Sequence, residues 1–167
     1  MLVIFSGFPG TGKNTLAQRL AADLGTVWLR IDTIERAIVD SDGALLVGDE
    51  GYRVAYAVAE DSLRLGRTVI ADSVNPVEIT RRAWRKVAER VSVEAVEIEV
   101  VCSDEAEHRR RVETRVSLIP VTWLQVVDRE FDPWNGDHIR IDTAGQEIEQ
   151  SFAALQQALI HPTSQCA

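Results

Sequence analysis

The stretch "GFPGTGKNT", residues 7–15, directly follows the apolar run "MLVIFS". The run before it is a strand pattern. The segment after it carries Leu16, Leu20 and Leu24 at four-residue steps and stops at Gly25, which predicts a helix over Lys13–Leu24. A strand, a glycine turn and a helix in that order fit a sheet covered by helices. They also bring close-approaching backbone N–H groups and the positive end of a helix dipole to one point, which is what a phosphate needs. The letters match G-x-x-x-x-G-K-[ST], with Lys13 spaced to reach β- and γ-phosphates. Asn14 stands where a Ser or Thr hydroxyl would hold magnesium. A bare Gly/Pro turn is the plain alternative. Two glycines, a lysine and the flanking elements together favour a phosphate site made of Gly7, Phe8, Pro9, Gly10, Thr11, Gly12, Lys13, Asn14 and Thr15.

The 18 basic residues include only two lysines, Lys13 and Lys86, so a lysine in that loop is not a product of abundance. A net charge of −8 argues against a broad nucleic-acid surface, whose affinity rests on neutralising phosphates. Cys102 and Cys166 form no C-x-x-C pair, and the start of the chain lacks a basic segment and a cleavage site. The expectation is a reducing, cytoplasmic setting. No apolar run nears the roughly 20 residues that span a membrane.

Short β-branched runs at Leu2–Ser6, 26–31, 68–71, Ala95–Val101 and 138–142 alternate with segments of helical period. Helices are predicted over Lys13–Leu24, 33–39, 52–65, 77–90, 104–116, 122–130 and 146–160, with Ser103 capping the fifth and Pro76 opening the fourth. Residues 41–51 are punctuated by glycine and read as a loop. The alternation in "VEAVEIEVV" puts that strand nearer a sheet edge than the first. The chain reads as one three-layer α/β domain over 1–160, with a tail at 161–167.

With these features in order, nearly the whole chain resembles the small P-loop kinases of adenylate-kinase-like fold. These include chloramphenicol-phosphotransferase-like, gluconate- and shikimate-kinase-like, adenylylsulfate-kinase-like and polynucleotide-kinase-like enzymes. The resemblance implies a five-stranded parallel sheet of order 2-3-1-4-5 with ligands over the carboxyl ends of its strands.

In that family an Asp at the end of the second strand, followed four residues later by Arg, faces the acceptor hydroxyl. "LRIDTIERAI" supplies Asp32 and Arg36, one helical turn apart. Asp32 would orient the hydroxyl and take its proton, and Arg36 would hold the substrate. Alternatively, Asp32 caps the helix and Arg36 is a surface partner. In "VIADSVNP", Asp72 suits a magnesium water shell, and Ser73 and Asn75 line the crevice or simply shape a turn.

The cluster "HRRRVETR" falls where the family has its lid, near residues 111–122. Arg111 and Arg115 share a face and would stabilise the transferring phosphoryl group; the plain reading pairs Arg111 with Glu107. Thr143 and Gly145 of "IDTAG" fall where the family packs on the adenine, or they form a strand-to-helix turn. Tyr52, Arg53 and Tyr56 border the acceptor in such kinases. The tryptophans read as packing residues, with only Trp134 in loop-like surroundings, and the three histidines as chemically idle.

The resemblance therefore implies an ATP- and magnesium-dependent phosphotransferase acting on a hydroxyl of a small molecule, as monomer or homodimer. The alternatives are a 5′-hydroxyl polynucleotide or adenylylsulfate kinase, although the second strand end lacks "DGD". A further alternative is a nucleotide-binding module whose catalysis is weak because of Asn14.

Overall fold

The computed structural model describes residues 1–42, 48–116 and 120–160. Five strands, β1 (Leu2–Ser6), β2 (Val27–Arg30), β3 (Val69–Asp72), β4 (Ala95–Val101) and β5 (Ile139–Asp142), form one parallel sheet ordered β2-β3-β1-β4-β5. The helices are α1 (Lys13–Leu24), α2 (Ile31–Asp42), α3 (Glu50–Arg64), α4 (Glu78–Arg90), α5 (Glu105–Thr114), α6 (Trp123–Val127) and α7 (Ile148–Ile160). Among the described residues no helix is long and apolar enough to cross a membrane.

Strand β1 lies at the centre, and all five of its residues are buried. Its alternate side chains feed two cores. Val3 and Phe5 pack with Leu16, Leu20, Phe152 and Leu155 of α1 and α7. Leu2 and Ile4 pack with Ala55, Ala59, Trp84 and Val87 of α3 and α4. Such two-sided burial is why β1 reads as an unbroken apolar run. Strand β4 sits one place from the edge. Its polar positions face partners, Glu97 meeting Arg85 at 3.0 Å and Glu99 meeting Arg140 at 3.1 Å.

Several sequence-based boundaries move. Leu24 is half exposed, because four-residue steps drift about 40° each around a 3.6-residue helix. Gly25 closes α1 in the left-handed conformation, φ 57°. Helix α2 begins at Ile31, two residues early, so Asp32 lies in its first turn and not on the strand end. The predicted loop 41–51 contributes Ser41 to α2 and Gly51 to α3, while 43–47 lie outside the described residues.

The cap of α5 is Asp104, not Ser103: its side chain accepts the Glu107 N–H at 2.9 Å. Helix α4 starts at Glu78, not at Pro76, and its first N–H donates to Asp132, a distant residue, at 2.7 Å. Helix α6 is shorter than its sequence suggests, and is fixed by a Thr122–Gln125 capping box. Residues 117–119 of the predicted lid and the tail 161–167 lie outside the described residues.

Candidate active site

The turn between β1 and α1 requires glycine at two places by close approach. A Cβ at Gly7 (φ 147°) would stand 2.3 Å from the Val100 carbonyl oxygen, and one at Gly10 (φ 88°) 2.6 Å from Val112. Gly12 occupies the N-cap of α1 at φ 88° with no side-chain cap. The first-turn N–H groups of α1 are thus available to an anion, where the helix dipole favours one.

Lys13 is 6% exposed and forms an ion pair with Asp72, the last residue of β3. Its ammonium also donates to Asn14 Oδ1 at 2.7 Å. The other Asp72 oxygen accepts from Trp28 Nε1 at 3.2 Å. A cation therefore already lies between two hard oxygen donors, one amide and one carboxylate. A magnesium ion held by few protein oxygens, together with phosphates and water, fits those donors. Among the described residues no cluster of three acidic, His or Cys ligands exists that could hold a metal without phosphate.

Helix α5 braces the loop. His108 is buried and donates from Nε2 to the Pro9 carbonyl at 2.8 Å, and Trp123 meets its ring edge-on. Arg111 bonds Glu107 at 2.6 Å, the Thr143 hydroxyl at 2.8 Å and the Thr143 carbonyl at 3.0 Å. The Thr143 hydroxyl in turn donates to the Thr11 carbonyl at 2.8 Å. Glu107 also accepts the Gly145 N–H at 2.8 Å; that bond and Arg111 hold its carboxyl below the ordinary range. Arg111 is thus anchored to the loop after β5 in this structure. Gly145 (φ 64°) shapes that loop with its N–H already bonded. Thr143 lines a cavity of about 280 Å³ with Gly10, Gly12, Thr15, Gln146 and Ile148.

The opposite wall is built by α2 and α3. Arg30 pairs with Asp32 at 3.4 Å. Arg115, at the C-cap of α5, is close enough that Asp32 and Arg30 both act on it, while burial draws its guanidinium below the ordinary range. Arg36 pairs with Asp40 at 2.9 Å on an exposed face. Asn75 is buried at φ 49°: its amide donates to Ser6 Oγ at 2.9 Å and its N–H to the Tyr52 phenol at 3.2 Å. Glu35 lies between Asp32, Tyr52 and Arg129, and burial together with the Asp32 charge raises its pKa to about 7.

The geometry thus brings Lys13, Asn14 and Asp72 together, and Asp32 with Arg115. It leaves Arg36 at the surface. Sequence reasoning passed over Trp28, His108 and Glu35. Glu35 had one available signal, its three-residue spacing from Asp32, which only counts once α2 is known to start at Ile31.

The pattern of the AAA domain family matches residues 2–119. A cytidylate kinase of Ignicoccus hospitalis is 32% identical over 72 residues, which span 43% of this chain and 41% of that protein. The match thus covers about two-fifths of the length of this curated relative. Among solved structures, a kinase candidate from Chloroflexus aurantiacus superposes with a TM-score of 0.75 at 22% identity, covering 96% of this chain and 97% of the other. The Mycobacterium tuberculosis APS kinase CysC, in complex with AMPPNP and APS, superposes with a TM-score of 0.66 at 21% identity, covering 95% and 96%. These likenesses show a shared fold.

Proposed function

The chain belongs to the AAA domain family and has the fold of the small P-loop kinases, and from that premise we propose that it is an ATP- and magnesium-dependent phosphotransferase whose acceptor is a hydroxyl of a small molecule. The observation that carries this reading is the meeting of Lys13, Asn14 and Asp72 under the uncapped start of α1. A bare turn has no need to bury a lysine there. A cytoplasmic setting, where ATP is plentiful, fits this reading.

The backbone N–H groups of residues 10–15 and the Lys13 ammonium bind the β- and γ-phosphates. Asn14 and Asp72 would hold magnesium, which when bound neutralises charge on the phosphate oxygens. To do so they release Lys13, which turns to the phosphates. Asp32 orients the acceptor hydroxyl and takes its proton. Arg115, beside Asp32, stabilises negative charge on the transferring group. The cavity beside Thr143 receives the nucleoside end.

A direct test measures ADP release from ATP with and without a pool of small hydroxyl compounds. Wild type should be stimulated by the pool. Asp32→Asn should lose the stimulation but keep ATP affinity, and Lys13→Ala should lose both. One observation favours a second reading, a nucleotide binder with weak transfer: the Asn14 oxygen is engaged by Lys13 and is longer than a hydroxyl. Tight ATP binding with no stimulation by any pool would establish that reading instead.

A further inference from the structure

We propose that Glu35 contacts the acceptor and selects a vicinal diol, holding the hydroxyl adjacent to the one that reacts at Asp32. The proposal rests on the kinase reading for the identity of this crevice as the acceptor site.

Because α2 begins at Ile31, Asp32 and Glu35 are three residues apart and share one helix face. Glu35 is held there by a feature of α3. A Cβ on Gly51 would stand 2.5 Å from Glu35 Cγ, so the glycine leaves the space through which that side chain passes. The Glu35 carboxylate makes no hydrogen bond or ion pair among the described residues, whereas Asp32 is paired with Arg30.

The adjoining wall has further unmet capacity. Asn75 Oδ1 is buried without a hydrogen-bond partner, in a residue 0% exposed. The Tyr52 phenol accepts the Asn75 N–H at 3.2 Å and lies beside the Ser73 hydroxyl. Buried polar groups left unpaired in the free protein point to a ligand that pairs them.

Asp32, Glu35 and Asn75 Oδ1 offer acceptors on this wall, while Arg30 and Arg115 stand beside Asp32 and the Arg129 charge acts on Glu35. A monohydroxy compound would leave Glu35 unpaired. Adjacent neutral hydroxyls, each able to donate, satisfy both carboxylates at their one-turn spacing. The raised pKa of Glu35 adds that near neutrality it can hold a hydroxyl as acceptor or as donor.

The test uses the protein loaded with AMP-PNP and magnesium. Calorimetry measures binding of glycerol, myo-inositol and D-glucose against 1-propanol and cyclohexanol. The same compounds are then offered with ATP labelled at the γ-phosphate. At least one diol should bind, and Glu35→Gln should weaken it tenfold or more with ATP affinity unchanged. Gly51→Ala keeps the carboxylate but displaces its stem, and should weaken the same diol without lowering the melting temperature. Equal binding by wild type and both variants, a preference for the monohydroxy compounds, or no diol bound at all would overturn the proposal. A diol that binds through Glu35 yet is never phosphorylated would leave the proposal standing and overturn the kinase reading.

Discussion

Lys13 and Asp72 form a buried ion pair that ties the first turn of α1 to the carboxyl end of β3, with side chains 6% and 0% exposed. Without phosphates the pair satisfies a lysine that the glycine loop would otherwise bury alone. Each partner is also a ligand-binding group in the proposed reaction, so the free protein stores its phosphate and metal contacts against one another. Substrate entry must exchange them.

Removing the carboxylate leaves the ammonium buried and uncompensated, and also strips Trp28 Nε1 of its acceptor. Asp72→Asn should therefore destabilise the nucleotide-free protein by about 3 kcal/mol, a fall in Tm of roughly 6–12 °C for a chain of this size. ATP in EDTA should recover much of the loss, because its phosphates replace the missing partner of Lys13. Scanning calorimetry with and without nucleotide reads both. A variant as stable as wild type without ATP would mean the pair contributes nothing net.

Asn14 holds Lys13 by its amide oxygen at 2.7 Å, a bond that a serine hydroxyl is too short to copy from the same backbone position. Asn14→Ser should leave ATP affinity in EDTA within about threefold, since the backbone cradle is untouched. Its effect belongs in the magnesium dependence: half-saturation by magnesium should fall and the transfer rate rise by about tenfold or more. Unchanged magnesium titration and rate would show that position 14 does not decide how the metal is held.

His108 fixes the Pro9 carbonyl and, with Val112, closes on Gly10 from α5. His108→Ala removes that donor and leaves a buried carbonyl unpaired, at a cost of about 1–3 kcal/mol. The loop would loosen where phosphate docks, so ATP affinity should fall about tenfold. Gly10→Ala should be worse, because its Cβ would meet Val112 at 2.6 Å in a left-handed conformation. Equilibrium binding of ATP to the two variants orders them; His108→Ala binding like wild type would remove α5 from the phosphate site.

Much of this was legible because the pattern is local. A buried central strand must be mostly apolar, a phosphate turn must use glycine, and periods of 3.6 and 2 separate helices from strands. Sheet order came from resemblance and not from periodicity. What stayed hidden depends on partners distant in sequence. Asp132 caps α4 across 54 positions, and His108 reaches Pro9 across 99. Trp28 read as packing until the register placed β2 beside β3 and its indole beside Asp72. Arg111 reached both its anticipated partner Glu107 and an unanticipated one, Thr143, 32 residues on. Asp32 was singled out by type, but a two-residue error in the start of α2 concealed that Glu35 shares its face.

Glu35 gives the fold a definite pH signature. Its carboxyl is raised from 4.5 to about 7 by burial first and by Asp32 second, with Arg129 opposing; Tyr52 is the titratable group facing it from α3. The folded state therefore binds more protons than the unfolded state between those values. Stability should be greatest from this group below about pH 4.5 and decline as pH rises toward 7, opposite to an ion-paired carboxylate. Allowing for water around a partly exposed group, the decline is about 1 kcal/mol, or roughly 2–4 °C in Tm. Glu35→Gln, which cannot ionise, should abolish that component and be more stable than wild type at pH 8, while losing diol affinity. A residue whose charge weakens the fold yet whose loss weakens ligand binding is the expected form of a stability–function conflict. Parallel Tm profiles for wild type and Glu35→Gln from pH 4.5 to 8 would show that this carboxyl does not titrate differently on folding.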